Sequence, residues 1–578
     1  MRVLGINAYM HDASVALLED GQTLFAAEEE RFNRIRKTHE FPIGAVARLR
    51  SESGLELDEI DCVAFPWHPL RYLRTAFRLC FDLFPPAFRL MTRAASPHAN
   101  APAWLKILQV SQDVTAAFER EQRPRVRFVG HHFSHACAAY YLSPFDDAAI
   151  LVMDGYGDGC STSWHLGKGG KITTLRTNYA LDSLGILYAV VTKHLGFRTI
   201  HDEGTVMAMG ARGTDALLED FRKLVHLLPN GQYRLAREYF SFHRYGEVRP
   251  FSDLYLERFG PFRRRDEPIT QHHMDIAYAL QRTVENAILH VARELQRTTG
   301  VKNLCFGGGV SLNCVANTRL ALESGFDHVH VSYSPADSGV AQGAALAATY
   351  GRGGINDIAR SKLDASPYLG PSFSESEIRA ALEERRMAYA MVDDPSAEAA
   401  RRIADGECIA WFQGRAESGP RALGNRSILA DPRDPGVRRR INQEIKQREW
   451  FRPFAPAVLA ERAAKYFEPV LQSPYMSFAV DSRPEVRLHI PAVVAEDGSA
   501  RIQTVRPDQN PLFRRLIERF DATTGVPMVL NTSFNVRSPM VGTPGDAIDT
   551  FLSSDLDALI IGGHLITREH PVDRWLPS

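Results

Sequence analysis

The sequence predicts an α/β protein of two domains, and three observations carry that reading. Short apolar strands that end in Gly- or Asp-containing turns alternate with helical stripes through much of the 578 residues. A strand–turn–strand–hairpin–strand unit at the start returns, in looser form, from Ala148. A Gly-, Ser- and Pro-rich stretch, "GRGGINDIARSKLDASPYLGPS" at 351–372, divides the chain. One hydrophobic core rarely serves a chain this long.

Taken in order, "RVLGINAYMHDASVALLEDGQTLFAAEEE" reads as a strand, a polar turn at His11-Asp12, a second strand, an Asp20-Gly21 hairpin and a third strand. The segment 71–93, "RYLRTAFRLCFDLFPPAFRLMTR", is apolar and aromatic but is interrupted by Arg71, Arg74, Arg78, Asp82 and Arg89 and broken by Pro85-Pro86. A membrane span needs about 20 mostly apolar residues with few charges, so a helical hairpin packed on the protein is expected instead. "GHHFSHACAAYY" (130–141) opens a small-residue helix. "AAILVMDGYGDGCSTSWHLGKGGKITTL" then repeats the first plan, which suggests two similar lobes facing one cleft. In "MDIAYALQRTVENAILHVARELQRTTG", Ile276, Leu280, Val284, Ile288, Val291 and Leu295 fall at helical spacing and form core. "NLCFGGGVSLNCVANTRL" gives a strand at 303–306, three glycines and a helix start. Beyond the divide, "ECIAWFQG", "VPMVLNTSF" and "LDALIIGG" are further strands.

The hydrophobic share of 44% and charged share of 24% are those of an ordinary soluble protein, and a net charge of -1 provides no field to recruit nucleic acid or anionic membrane. Seven scattered cysteines without a CxxC pair argue against a zinc ribbon and a disulfide framework. "MRVLGINAYM" reads as a strand rather than a signal peptide, so a reducing cytoplasm is expected.

Chemistry concentrates in four places. His131 and His135 are four apart, on one helical face, whereas His132 lies off it and reads as structural. Asp154 ends a strand, where α/β sheets collect ligands. Asp337, in "SPADSGVAQGAA", either faces the same cleft or serves as a helix N-cap or turn former. Two imidazoles with one or two carboxylates suit iron, manganese or zinc. Gly307-Gly308-Gly309, with Asn313 beyond, and the turn 154–159 are candidates to approach a phosphate through backbone N–H groups, although neither is a GxGxxG or GxxxxGK[ST] motif. In the second half, "WFQGRAESGPRALGNRSILADPR" gathers Arg415, Arg421 and Arg426, and "INQEIKQREWFRPFAP" adds Lys446, Arg448 and Arg452. Asn531 and Ser533, in "NTSFN", offer amide and hydroxyl groups at a strand end. Arginine forks and a lysine in compact glycine turns point to a small anion and a nucleotide.

Together "YMHDASVALLEDG", "AAEEERFNR", "HHFSHACAAYY", "MDGYGDG", "SLGILYAVVTKHLGF", "GGGVSLNCVAN", "GRAESGPRALGNRSILADPR", "REWFRPFAPAVL" and "NTSFNVRSPMV" resemble the O-carbamoyltransferases that modify nodulation factors and antibiotics. The resemblance spans nearly the whole chain. It implies a duplicated actin-like (ATPase-domain), threonylcarbamoyl-transferase-like domain at 1–355, a linker at 356–372 and a YrdC-like α/β domain at 373–578. It implies that carbamoyl phosphate and ATP give carbamoyl-adenylate in the second domain, and that a substrate hydroxyl takes the carbamoyl group in the first, releasing AMP. Carried over residue by residue, His131, His135, Asp154 and Asp337 hold iron(II) or another divalent metal, with Mg2+ accompanying ATP. His11 lies near the transferred group, and Arg421, Arg426, Lys446, Arg452, Arg501 and Ser533 handle phosphate. Two positions depart from relatives: Thr205 stands where lysine is common and Ser418 where an aromatic is common. The expected acceptor is a hydroxylated small molecule (sugar, macrolactam, cephem or peptide-like), with neither nucleic acid nor membrane as partner and a homodimer allowed. The stretch 237–268, mixing aromatics and arginines, is the first candidate for its pocket, and 71–93 the second. Threonylcarbamoyl transfer to tRNA and a non-catalytic, nucleotide-regulated role are the competing functions. The neutral charge opposes the first, and the retained His/Asp set opposes the second.

Overall fold

A computed structural model describes residues 1–82, 106–245, 248–350 and 366–568. The Pro85-Pro86 half of the expected hairpin and residues 356–365 of the expected linker lie outside them. The chain forms two compact units, Met1–Glu29 with Lys37–Ala365, and Glu30–Arg36 with Ser366–Ser578.

The first unit holds two five-stranded sheets built to one plan. In the first sheet, β1 (Arg2–Asn7), β2 (Ser14–Glu19) and β3 (Gln22–Glu28) pair antiparallel in sequence. β4 (Cys62–Phe65) and β5 (Val126–Phe128) add in parallel on the other side of β1. In the second, β6 (Ala148–Gly157), β7 (Cys160–Lys168) and β8 (Lys171–Tyr179) pair antiparallel. After the hairpin of β9 (Val225–Leu228) and β10 (Gln232–Leu235), β11 (Asn303–Gly307) and β12 (His328–Val331) add in parallel beside β6. The order 3-2-1-4-5, repeated with the same strand directions, is the duplicated actin-like plan. The hairpin at Asp20-Gly21 forms with φ of 48° and 85°, the left-handed pair that a two-residue turn requires.

Between the sheets run two helices made largely of small residues, His131–Tyr141 and Val340–Tyr350. A Cβ on Gly343 would sit 2.0 Å from the Ser134 carbonyl oxygen, and one on Gly5 of β1 would sit 2.0 Å from that of Ala341. The absence of side chains there lets one helix approach both its neighbour helix and the sheet. The helix Gln271–Thr299 carries the predicted stripe, all six residues at most 1% exposed. Each such side chain contributes about 1.5–3 kcal/mol by leaving water, as an upper estimate.

The second unit is α/β as well. Its eight-stranded mixed sheet runs β13 (Ala390–Met391), β23 (His564–Thr567), β22 (Ala558–Ile561), β14 (Ile409–Phe412), β15 (Arg426–Ala430), β21 (Met528–Ser533), β16 (Ala455–Leu459) and β20 (Gln503–Val505). A small sheet of β17 (Phe467–Glu468), β18 (Ala479–Ser482) and β19 (Ser499–Arg501) accompanies it. Residues 30–36, expected with the first domain, belong here: Arg31 donates to the Gly419 carbonyl at 2.7 Å and Arg34 to that of Met540 at 2.7 Å. Such long-range pairing has no local periodicity to announce it.

The close helix crossing gives a first test. Gly343→Ala is expected to cost about 1–3 kcal/mol by overpacking and to weaken divalent-metal binding, because it displaces the helix that carries His131 and His135. Thermal unfolding and a metal titration of the same variant check both effects.

Candidate metal centre and cationic cluster

The helix His131–Tyr141, strand β6 and the turn Asp337–Gly339 bring the four predicted ligands together. His131 and His135 point from one face of their helix, with Nε2 atoms 3.1 Å apart. Asp154 sits where the β6–β7 register shifts between Met153 and Gly157, so its side chain leaves the ladder and turns to the helix. Asp337 occupies the first position of the short turn Asp337–Gly339, with Ala336 as the cap, so it opens a turn and faces the histidines at once. His131 Nε2 lies 3.5 Å from both Asp154 Oδ2 and Asp337 Oδ1, and His135 Nε2 lies 3.3 Å from Asp337 Oδ1. All four ligand atoms fall within 4.8 Å of one another, and all four residues are buried. An ion with bonds of about 2.1 Å spaces tetrahedral donors about 3.4 Å apart, so the donor set fits a divalent cation.

The surroundings hold this arrangement. Trp67 stacks on the His131 ring at 4.0 Å. The His131 backbone N–H donates to Asp158 Oδ2 at 2.8 Å, which anchors the helix start. A Cβ on Gly157 would meet the His131 ring at 2.0 Å, so glycine is required where strand and imidazole touch. Asn7, fully buried, donates its amide to the carbonyls of His11, Asp12 and Asp337 at 3.2, 3.0 and 3.3 Å and accepts from Trp67 Nε1 at 3.1 Å. No motif in the sequence distinguished Asn7. His11 lies beside the cage, with Nε2 3.6 Å from Asp337 Oδ2. His132 turns away, bonded to Ser163 Oγ at 3.0 Å, and burial with the neighbouring His131 lowers its pKa to about 3.

Charge explains the pKa pattern. Burial would lower His131, yet Asp337 and Asp154 outweigh it and push the group up to about 10. Burial would likewise lower His11, but Asp337 and Asp12 raise it to about 9 against Lys37. Burial would raise Asp337, which His11, His131 and His135 hold well below the usual carboxylate range instead. Without a dication, protons on imidazole balance the buried carboxylates.

The predicted phosphate turn has other duties. The Gly308 N–H bonds the Pro335 carbonyl at 2.8 Å, and the Gly309 N–H bonds Asp154 Oδ1 at 2.8 Å. Gly307 closes β11, paired in register with Val152. Asn313 caps the helix Cys314–Glu323 through the Ala316 N–H at 3.0 Å and donates to Gln281. The Gly309 N–H, expected to face a phosphate, thus orients Asp154 instead. The aromatics of 237–268 are also engaged: Phe240, Phe251, Tyr255 and Phe259 are at most 2% exposed and pack on one another, with Tyr255 stacked on Phe251 at 3.7 Å. In the second candidate stretch, Phe77 is exposed, while residues 83–93 lie outside the described set.

In the second unit, Lys446 and Arg448 follow a π-turn at Arg440–Ile445. Buried Lys446 donates to the Ser533 carbonyl at 2.6 Å, to Ser533 Oγ at 3.2 Å and to Asn535 Oδ1 at 2.8 Å. Burial, then Arg448, Arg452 and Arg36, drive its pKa well below the lysine range. Burial and Arg452, Arg501 and Arg36 act on Arg448 in the same direction, opposed by Glu449. Five cations thus converge, an arrangement that favours an anion. Arg36, from the segment 30–36, escaped the sequence reading because nothing local ties it to residues four hundred positions away.

Arg426 corrects the expectation of a phosphate contact. It is fully buried, donates to the carbonyls of Gln413, Asn425, Gly414 and Pro371, and lies 3.6 Å over the Phe412 ring. The guanidinium ties loops together in the interior. Asn531 donates to Ala422 and Gln503 at 3.2 and 2.8 Å. Arg421 stands half-buried on the Gly-Pro-Arg loop. Ser418 is buried there, and Thr205 is buried in the first unit.

Comparison with known proteins now bears on these two sites. The model of the carbamoyltransferase N-terminus matches residues 2–346, and that of the carbamoyltransferase C-terminus matches 400–568. The chain belongs to the carbamoyltransferase family. It is 37% identical over 581 residues to nodulation protein NolNO of Sinorhizobium fredii, covering 97% of this chain and 80% of that one. It is 35% identical over 600 residues to the uncharacterized protein sll1178 of Synechocystis, covering 98% and 96%. A solved structure of HypF from T. kodakarensis aligns with 60% of this chain and 48% of its own at 14% identity and a TM-score of 0.30. The protein is therefore a carbamoyltransferase enzyme. No helix among the described residues is long and apolar enough to cross a membrane.

Metal removal should be legible in pH dependence. His131 and His11 have folded pKa values above the unfolded value near 6.5. Their contribution to the metal-free protein is complete below about pH 6.5 and lost as pH rises toward about 10. Thermal midpoints of the chelated protein should fall across that window. Divalent-metal affinity should rise through the same window, by about tenfold per pH unit for each proton displaced, as calorimetry in buffers of differing ionisation enthalpy would count.

Proposed function

We propose that this carbamoyltransferase is ATP-dependent and acts in two steps on a small-molecule hydroxyl. The observation that carries the reading is that one unit gathers Lys446, Arg448, Arg452, Arg501 and Arg36, while the other, taken by itself, holds a four-donor His/Asp cage flanked by His11. In the second unit, carbamoyl phosphate, water and ATP give carbamoyl-adenylate, pyrophosphate and phosphate. Lys446 and the arginines neutralise the phosphates, and Ser533 and Asn535, which already orient Lys446, keep its charge directed at them. This is the role expected of the YrdC-like domain.

In the first unit the acceptor oxygen attacks the carbamoyl carbon, the bond to the AMP phosphate oxygen breaks, and AMP leaves. AMP is a good leaving group because its phosphate spreads the charge it receives. A divalent ion held by His131, His135, Asp154 and Asp337, for which iron(II) is the reading of the resemblance, would supply a fixed positive charge for that phosphate. With the charge of Asp337 offset by that ion, the cause that most raises His11 is removed, and His11, whose Nδ1 is bonded to Asp12, would take the acceptor's proton at Nε2. A net charge of -1 supports a small acceptor over tRNA.

Pyrophosphate release from carbamoyl phosphate and ATP, followed by radiolabelled carbamoyl transfer to a panel of hydroxylated natural products, tests the reading. Absence of pyrophosphate under every metal supply would sink it, and carbamoylated tRNA would reassign the acceptor. His135→Ala should spare pyrophosphate formation and abolish transfer. Lys446→Met should slow pyrophosphate formation by about 100-fold or more, the usual scale for losing one electrostatic contact to a reacting phosphate.

A further inference from the structure

We propose that Lys37 is a positioning residue for carbamoyl transfer, holding the Asp12 carboxylate that aims His11 at the metal cage. The proposal rests on the reading of His11 as the group that meets the acceptor hydroxyl. Lys37 Nζ lies 2.7 Å from Asp12 Oδ2, and His11 Nδ1 lies 3.0 Å from the same oxygen. With Nδ1 anchored, His11 is left with Nε2 3.6 Å from Asp337 Oδ2. The anchor is buried and the ring is not: the Asp12 side chain is 9% exposed, and that of His11 40%. An acceptor can therefore reach His11 while water is kept from the carboxylate that orients it.

The backbone is shaped to make this contact. Asp12 and Lys37 have φ of 57° and 56°, a left-handed conformation that non-glycine residues seldom adopt without a reason in the surrounding structure. Two backbone bonds, Tyr9 N–H to the His39 carbonyl at 2.7 Å and Ala13 N–H to that of Thr38 at 3.0 Å, already pin the two segments together. The turn thus has its own fastening, and the charged bridge adds a constraint on one carboxylate oxygen. Tight turns alone would not require a lysine at that point.

Two measurements test this on the full chain. The first is acceptor-independent: with selectively 15N-labelled histidine, the His11 resonance is identified by its loss in His11→Gln. Lys37→Met should shift the His11 Nδ1 signal and Lys37→Arg should keep it near the wild-type position; an unchanged signal in Lys37→Met overturns the proposal. The second follows AMP released per pyrophosphate formed from carbamoyl phosphate and ATP, with glycerol as the hydroxyl probe. That ratio should fall about 10- to 100-fold in Lys37→Met, the scale expected for a misplaced reacting group, and recover in Lys37→Arg. Lys37→Met combined with Asp12→Asn should be no worse than Asp12→Asn alone, since both act through one carboxylate. Fully multiplying losses count against the proposal. Absence of pyrophosphate with the wild-type protein would overturn the two-step reading, while the His11 resonance would still decide the role of Lys37.

Discussion

Two imidazole nitrogens 3.1 Å apart, facing two carboxylates in a buried pocket, are the constraint on which the first unit depends. Four such donors cannot be left uncompensated away from water: the carboxylates repel one another, and facing ring nitrogens need a proton or a cation between them. The small-residue helix crossing lies beside this cage, with Gly343 against Ser134, the residue before His135. The same demand explains the bulge at Asp154, the Gly309 N–H on its second oxygen and the Trp67 ring laid over His131. Asn7 fastens the His11 turn, the Asp337 turn and Trp67 through a single amide group. A shift in any of these elements would move a ligand.

The second unit shows the opposite sign of the same physics. Lys446 and Arg448 are desolvated among other cations, so their charged forms are disfavoured until an anion arrives. Arg426, on the earlier glycine-rich segment 411–433, is charged and buried too. Its guanidinium, however, is surrounded by carbonyl oxygens and an aromatic face that tie loops of the interior together. What sets Lys446 apart from Arg426 is its company rather than a lack of acceptors: both are hydrogen-bonded, but burial and the neighbouring Arg448, Arg452 and Arg36 disfavour the charge of Lys446.

That distinction explains how much was legible in the chain. The duplicated strand plan, the Gln271–Thr299 core stripe and the shared face of His131 and His135 follow from periods of two and 3.6 residues, which sequence displays directly. Asp154 was found because strand ends gather ligands, and Asp337 only as one of two alternatives. The glycine triplet was placed correctly as a strand-to-turn feature, but its N–H groups are occupied by Asp154 and Pro335. The aromatics of 237–268 resembled a pocket and form a local core around Phe251 and Tyr255. Asn7, Arg36 and Lys37 carried no signal, since one polar residue in a short segment looks like any other until its partner is known.

By itself, then, the sequence determined the α/β class, the repeated lobe, the principal core helix and the types of residue available for metal and phosphate. Local periodicity and turn chemistry encode those things within a few residues. Only the tertiary structure decided that residues 30–36 join the second unit, that Asp337 faces His135, and that Arg426 is bonded to backbone carbonyls in the interior. Those outcomes depend on which groups meet across tens or hundreds of positions and on whether each buried charge is satisfied where it comes to rest.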